Sequence, residues 1–396
     1  MLHSLLSFWG NVAVTLILTH VTVIGVTIYL HRCQAHRSLD LNPVISHFFR
    51  AWLWLSTSMG TRAWVAVHRK HHTFVDTEED PHSPVILGLA RVFFGGVMLY
   101  RKERKVPETL ERFGRGTPND WLERNIYADR PFTGLFSLLA IELLIFGWPA
   151  FIMWGIQMIW IPLWAMGFIN GVAHYWGYRN FASPDSSTNI FPWGLIAGGE
   201  ELHNNHHAYG TSAKLSVKWW EFDVGWMYIR LFEIFGLAKV HRSIPKILRD
   251  PKKNEVDSDT LGVLLGHRFQ VLDQYWRKVV RPVLREQKQR ATKPQLGLLR
   301  RARTLLTKDE SMINQEEQAQ LQEILSQGPA LKTIYDFRNE LQQVWHRTTV
   351  SQMEMLERLQ KWCQQAEASG IQALQDFVSL LKTYTMHEPA RVKTDF

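Results

Sequence analysis

Apolar residues gather into long runs before about residue 250 and recur only at helical spacing after it. Leu5 to Leu30 (LLSFWGNVAVTLILTHVTVIGVTIYL) contains no Lys, Arg, Asp or Glu and covers the ~20 residues that a helix needs to cross hydrocarbon. No basic start or small-residue cleavage site flanks it, so it reads as a retained span over about 5–30 and not a signal peptide. His20 inside it reads as packed or hydrogen-bonded within a bundle. A second apolar region, Phe132 to Tyr178, is broken near Gly147-Trp148-Pro149 and at Gly155, which predicts a hairpin of spans at about 132–152 and 155–177. Glu142 within it is costly in lipid and should face protein or water. The stretch before the hairpin carries Arg91, Arg101, Lys102, Arg104, Lys105, Arg112, Arg115, Arg124 and Arg130; this positive charge places it in the cytosol.

Pro43 to Val67 is rich in Phe, Trp and Leu but interrupted by His47, Arg50 and Arg62. If it crossed the membrane, the histidine motifs on its two sides would face opposite compartments. It is therefore read as an interfacial helix over about 43–62. Beyond Asp250 three apolar stripes recur at helical spacing: Phe269, Leu272, Trp276, Val279 and Val283; Leu331, Ile334, Leu341 and Trp345; Ile371, Leu374, Phe377 and Leu381. The expected architecture is all-α. A membrane helical bundle over 1–245 carries a cytosolic cap, and a helical cytosolic extension follows over 250–396.

Composition sharpens this picture. The 396 residues carry a formal charge of +8, and the mean hydropathy of −0.16 averages over unlike halves. Two cysteines, Cys33 and Cys363, exclude a disulfide scaffold and every cysteine-based zinc or iron–sulfur framework. The basic balance suits nucleic acid or an anionic membrane face. The apolar runs decide for the membrane, and no nucleic-acid partner is expected.

Most of the 17 histidines fall in four clusters: His31-Arg-Cys-Gln-Ala-His36, His68-Arg-Lys-His71-His72, Asn170-Gly-Val-Ala-His174 and His203-Asn-Asn-His206-His207. Residues at i, i+3 and i+4 share a helix face. Each HxxHH box should thus present three imidazoles in one direction, and Asn170 should align with His174. His31 and His36 are five apart, about 140° on an ideal helix, so both reach one site only if the helix ends or bends between them. Nine imidazoles exceed one tetrahedral zinc and approach two metals with four or five ligands each. Such thiolate-free sets suit iron, copper, zinc or nickel; a dinuclear iron centre that activates oxygen has the most chemistry behind it. Asp76, Glu78, Asp80, Glu200 and Glu201 are placed to accept the second imidazole N–H, though any one of them serves equally well as a solvated helix cap. The remaining histidines, His3, His47, His82, His241, His267, His346 and His387, read as polar anchors.

HRCQAHR, HRKHH followed by DTEEDPHSP, NGVAHYWGYR, and GGEELHNNHHAYG followed by the stretch to FGLAK resemble the membrane fatty-acyl desaturase family, nearest to bacterial relatives of stearoyl-CoA desaturase. The resemblance covers about residues 10–240. It implies a non-haem di-iron site held by His31, His36, His68, His71, His72, His174, His203, His206 and His207, with Asn170 reaching iron through water. It further implies removal of two hydrogens from a saturated acyl chain by O2 and two electrons, giving a cis double bond, most often at the ninth carbon. The implied setting is the bacterial inner membrane, multi-pass, with the site facing the cytosol.

An unactivated methylene has no acidic proton, so acid–base chemistry cannot start such a reaction; an oxidising cofactor carries it while the protein positions the chain. Two departures bear on the acyl carrier, one of them an Arg-Gly-Phe-Phe-like stretch of the family that is altered here to Ala90-Arg91-Val92-Phe93-Phe94. An Arg-Asp pair that acyl-CoA desaturases of animals and yeast use at the head group is replaced here by Ala66 and Val67. Arg101 and Lys102 do match a basic pair of the family. Both a phospholipid and a CoA ester therefore stay open as carriers. No His-Pro-Gly-Gly haem signature occurs, so electrons should come from a separate ferredoxin or flavin reductase. The tail resembles the helical end of some insertion-sequence transposases but lacks room for their catalytic core, and it reads as an accessory docking element. The alternatives are a membrane di-iron hydroxylase of lipids or alkanes and, outside enzymes, a membrane metal carrier. A carrier would spread its ligands through the spans, whereas these cluster at one face.

Overall fold

The computed structural model describes residues 6–244, 246–346 and 350–387. The expected anchor His3 and the side chain of His346 lie outside the described residues. The chain is mostly helical and divides into two units, one of residues 1–180 with 185–244, the other of 181–184 with 245–396.

In the first unit, α1 (Phe8–Ile24) starts where the Ser7 hydroxyl accepts the Gly10 N–H at 3.2 Å. It runs on as a π-helix over Gly25–Ala35, a continuous helix of 28 residues. That exceeds the ~20 needed for hydrocarbon by about two turns, and His31 lies in the last two turns. A short strand, Leu39–Leu41, pairs antiparallel with Ala238–Val240. Next come α2 (Pro43–Thr57), started by Asn42, whose side chain accepts the Val44 N–H, and α3 (Thr61–Phe74). After these lie α4 (Pro84–Leu87), α5 (Leu89–Glu103) and α6 (Pro107–Phe113).

The apolar hairpin is α7 (Pro131–Phe146) and α8 (Ala150–Ile161). Its turn falls at Gly147 to Pro149, with Gly147 at φ 70°, so the first arm ends earlier than expected and Gly155 lies inside the second. The second arm continues through a π-helix, Pro162–Ile169, into a 3₁₀ turn, Val172–His174. Phe8–Ala35 and Ala150–His174 are long and apolar enough to cross a membrane; α7 is apolar but shorter. Large apolar side chains such as Phe136, Leu144, Phe151 and Ile159 stay exposed on the hairpin, as suits an apolar surround. Glu142 faces inward, as expected, and accepts the Gln157 side-chain N–H at 2.7 Å.

Helices α2 and α7 approach so closely at Gly134 that a Cβ there would lie 2.3 Å from the Trp54 carbonyl oxygen. Arg50 of α2 is buried and meets Asp120 at 2.6 Å and Glu123 at 3.4 Å, so it is paired inside the protein. Two short helices complete the unit, α9 (His203–Ala208) and α10 (Val224–Ile234). Ile28, Tyr29, Leu30, Phe49, Leu53 and Ile229 form its core.

The second unit contains α11 (Ser258–Gly266), α12 (Arg268–Tyr275), a π-turn Trp276–Val280, α13 (Arg281–Arg290) and α14 (Lys293–Thr307). It ends with α15 (Gln315–Ser326), α16 (Pro329–His346), α17 (Gln352–Ala368) and α18 (Gln372–Lys382). The expected stripes reach one core, where Val279, Leu331, Ile334, Leu341, Leu374, Phe377 and Leu381 are fully buried; Phe269 and Leu272 of the first stripe are buried outside it, and Val271 and Tyr275 enter in their place.

Candidate metal centre

The π-helix answers the five-residue problem at the first histidine pair. A π-turn closes i→i+5 hydrogen bonds, and the His36 N–H bonds the His31 carbonyl at 3.0 Å. Residues five apart are thus one turn apart, and the helix also ends between them, at Ala35 with His36 as its cap, as expected.

All nine histidines gather in two cages. His31, His36, His68, His72 and His206 form one, and His71, His174, His203 and His207 the other; within each cage the ligand atoms lie within 4.8 Å of one another. The HxxHH boxes do not point three imidazoles one way, as expected. Residues i and i+4 differ by about 40° on a helix, but i+3 lies about 60° to the other side. His68 and His72 therefore enter the first cage and His71 the second, whereas His203 and His207 enter the second and His206 the first. The cages adjoin, with the rings of His72 and His207 stacked at 4.5 Å.

Nε2 faces Nε2 throughout: His31 and His206 at 3.0 Å, His36 and His68 at 2.9 Å, His206 and His72 at 2.8 Å, His203 and His174 at 3.0 Å, and His207 and His203 at 3.1 Å. Carboxylates hold the opposite nitrogens. Nδ1 of His31 meets Glu200 at 2.7 Å, that of His71 meets Asp80 at 2.9 Å, that of His174 meets Asp76 at 3.6 Å and that of His207 meets Asp185 at 3.4 Å. An imidazole that donates from Nδ1 carries its lone pair on Nε2. Those four rings therefore aim an Nε2 lone pair into the cages, the state in which imidazole binds a metal ion. The buried Nε2 of His71 has no hydrogen-bond partner among the described residues. Side chains whose ligand atoms lie this close can share one ion. The residues present fit a metal ion in each cage.

Electrostatics agree. Burial, followed by neighbouring histidines, holds His36, His68, His72, His203 and His206 well below the ordinary imidazole range. Burial also lowers His207 to about 4, against the pull of Asp185. Such rings stay neutral, the state that binds metal. His71 is raised, because the charge and hydrogen bond of Asp80 outweigh its burial. Burial alone would raise Asp76, Asp80 and Asp185, but their histidine partners and hydrogen bonds hold all three below the usual carboxylate range.

The carboxylates are themselves anchored. Asp80 accepts the backbone N–H of Asp76 at 2.9 Å and of His82 at 3.0 Å. Asp76, at φ 60°, accepts both the backbone N–H and the hydroxyl of Ser186. Glu200 accepts the Thr27 hydroxyl at 2.8 Å.

Three expectations are corrected. Glu201 does not serve an imidazole: its carboxylate accepts the backbone N–H groups of Ile196, Ala197 and Gly199, because it closes the tight turn before α9, and burial pushes it up to about 7. Glu78 is exposed. His82 is no surface anchor: it is buried and stacked 4.5 Å from His71, and burial lowers it to about 3. Asp185 carries no sequence signal, since it lies in a loop remote from every box.

Asn170 closes the π-turn before His174, its amide nitrogen 3.4 Å from Met166 Sδ. Arg101 and Lys102 are exposed on the last turn of α5, with the Arg101 guanidinium 5.8 Å from the Phe132 ring. Neither belongs to a cage.

Comparison with known proteins gives two family matches. The profile described as fatty acid desaturase matches residues 7–233, and one described as transposase matches 267–389. The chain is 32% identical to delta-9 acyl-lipid desaturase 1 of Arabidopsis thaliana over 58% of this chain and 74% of that one. It is 33% identical to the sn-1 stearoyl-lipid 9-desaturase of a Synechocystis strain, over 58% and 71%. It is 36% identical to the icosanoyl-CoA 5-desaturase of Limnanthes douglasii, over 54% and 60%.

Proposed function

Because the chain belongs to the fatty acid desaturase family, whose members are membrane-associated and use iron, we propose that it introduces a cis double bond at the ninth carbon of a saturated long-chain acyl group esterified in a membrane lipid. The enzyme is an oxidoreductase acting on acyl chains. The balanced reaction joins one –CH2–CH2– unit, O2, two electrons and two protons to give –CH=CH– and two waters. The electrons come from a separate ferredoxin or flavin reductase.

The observation that carries this reading is the pair of adjoining imidazole cages, four of whose rings are held at Nδ1 by carboxylates with Nε2 turned inward. His31, His36, His68, His72 and His206 would hold one iron; His71, His174, His203 and His207, with Asn170 through water, the other. When bound, the two irons supply the oxidising power that an unactivated C–H bond demands. The chain's own part is to fix imidazole tautomers through Asp76, Asp80, Asp185 and Glu200 and to hold one acyl segment still. An apolar cavity of about 590 Å³ among Leu16, Ile17, Val23, Trp160 and Leu195 is of the size class that accepts lipid-like ligands. Val23 precedes His31 by two helical turns, so a chain in this cavity lies along the helix that leads to the cages.

A lipid carrier is favoured over CoA because Ala66 and Val67 are buried and offer no polar group to a nucleotide. Two of the three relatives above are named for lipid-linked acyl groups and the third for a CoA ester. The basic stretch ahead of α7 supports a site on the cytosolic side of a multi-pass inner-membrane protein. The test is expression in a host without its own desaturase, followed by mass spectrometry of phospholipid and CoA acyl pools. A cis-9 monoene should arise first in phospholipid. An alcohol in its place would assign a hydroxylase. No oxidised acyl product from iron-loaded protein supplied with a reductant would overturn the reading.

A further inference from the structure

The second unit carries a charge pattern that acyl chemistry does not use. From Arg277 to Arg303 the sequence holds ten Lys or Arg and one acidic residue, Glu286; from Asp309 to Glu357 it holds three Lys or Arg and nine acidic residues. The basic run occupies the π-turn after α12, together with α13 and α14. Lys278, Arg281, Arg285, Lys293, Arg300 and Arg303 are exposed. Among the described residues the acids of this region pair elsewhere, Asp273 with Arg277 and Glu286 with Arg290. Arg281 and Arg285 stand one turn apart on α13, with Lys278 just before them. The Arg303 guanidinium lies 5.8 Å from the Trp276 ring, which sets α14 against the helix that carries Lys278, Arg281 and Arg285, on the side away from their stripe. The basic residues are thus spread over the exposed surface of this helix pair. Large apolar side chains exposed in this unit are limited, among the described residues, to Met353 and Met386, so contact through this surface is electrostatic and involves no insertion.

We propose that this basic helix pair docks on an anionic lipid surface. The unit is covalently joined to a segment of a membrane-associated family, which keeps lipid head groups at high effective concentration and leaves a dissolved partner at a disadvantage. Four to eight clustered Lys and Arg beside a membrane segment are the size of patch that anionic leaflets attract. The acidic residues of α15–α17 are repelled by the same surface, so the basic helix pair is the part that engages it.

The full chain is reconstituted in discs of neutral phosphatidylcholine or in discs that include anionic phosphatidylglycerol. Amine labelling of Lys278, Lys288 and Lys293 is then read by mass spectrometry against Lys361. In anionic discs the three lysines should react more slowly by roughly fivefold per basic residue engaged, and high salt should restore them. The triple variant Arg281→Gln, Arg285→Gln, Arg300→Gln should lose the protection while its buried Cys363 stays resistant to alkylation, showing an intact fold. Equal labelling in both discs would overturn the proposal. So would protection that appears only on addition of duplex DNA, an outcome that would assign the helix pair to nucleic acid in keeping with the transposase likeness.

Discussion

Asp80→Asn is the sharpest probe of the cage logic, because the substitution changes charge and leaves volume almost untouched. Asp80 Oδ1 accepts from His71 Nδ1 at 3.0 Å and from the His82 backbone N–H at 3.0 Å; Oδ2 accepts from His71 at 2.9 Å and from the Asp76 backbone N–H at 2.9 Å. An asparagine amide cannot meet this demand in either orientation, since its NH2 must face one of the two backbone N–H groups. A buried hydrogen bond to a charged group is lost, worth about 1.5–3 kcal/mol, and His71 is no longer held by charge as the Nδ1–H tautomer. Loss of such an outer partner typically weakens metal binding by about 10–100-fold, or roughly 1.4–2.7 kcal/mol. The effect should fall on the cage of His71, His174, His203 and His207 alone. Iron content measured by mass spectrometry across a chelator series should show the variant dropping from two irons per chain to one where the parent still holds two. Glu200→Gln, acting through His31, should release iron from the other cage, and the double variant should release both. Unchanged chelator midpoints in properly folded protein, or loss of both irons together from each single variant, would refute the reasoning.

Three further outcomes are expected. Gly134→Ala places a methyl 2.3 Å from the Trp54 carbonyl oxygen; helix backbone cannot yield there, so thermal melting in detergent should show destabilisation of about 1–3 kcal/mol. Cys363 is buried, and burial pushes its thiol up to about 12, so maleimide should modify it only as fast as the second unit opens, with denaturant restoring the rate of an ordinary thiol. In metal-free protein, burial lowers six cage histidines below their unfolded value of 6.5, against His71, which Asp80 raises. The unfolded chain binds more protons at the six below that pH, so their contribution is complete above pH 6.5 and declines as pH falls beneath it, by up to about 1.4 kcal/mol per pH unit for each ring, outweighing the opposite contribution of His71. Melting at pH 7.5 and 5.5 would check the sign.

The nine histidines were legible because helical spacing is a local property: once a segment is helical, its three- and four-residue separations fix which side chains share a direction. The split between cages was not, because it depends on how α3 and α9 lie against each other, and that is decided by tertiary packing. His31 and His36 show the same limit in winding. A sequence read at 3.6 residues per turn cannot announce a π-helix. Asp76, Asp80 and Glu200 stood close enough to a box to be suspected, whereas Asp185 arrives from a loop through its serine contacts. Glu201 shows why adjacency alone misleads: beside Glu200 in sequence, it turns to satisfy three backbone amides.

The crossed arrangement of the two HxxHH boxes, each giving a pair to one cage and a single imidazole to the other, has a structural corollary. Neither helix owns a site, so α3 and α9 act as the two rails of a ladder whose rungs are the ion positions. The gap between rungs is ruled by the angular step from one helical residue to the next and owes nothing to loop length. Slide either rail, and both positions deform in concert. A lineage that discarded one box would strip ligands from both ion positions at a stroke.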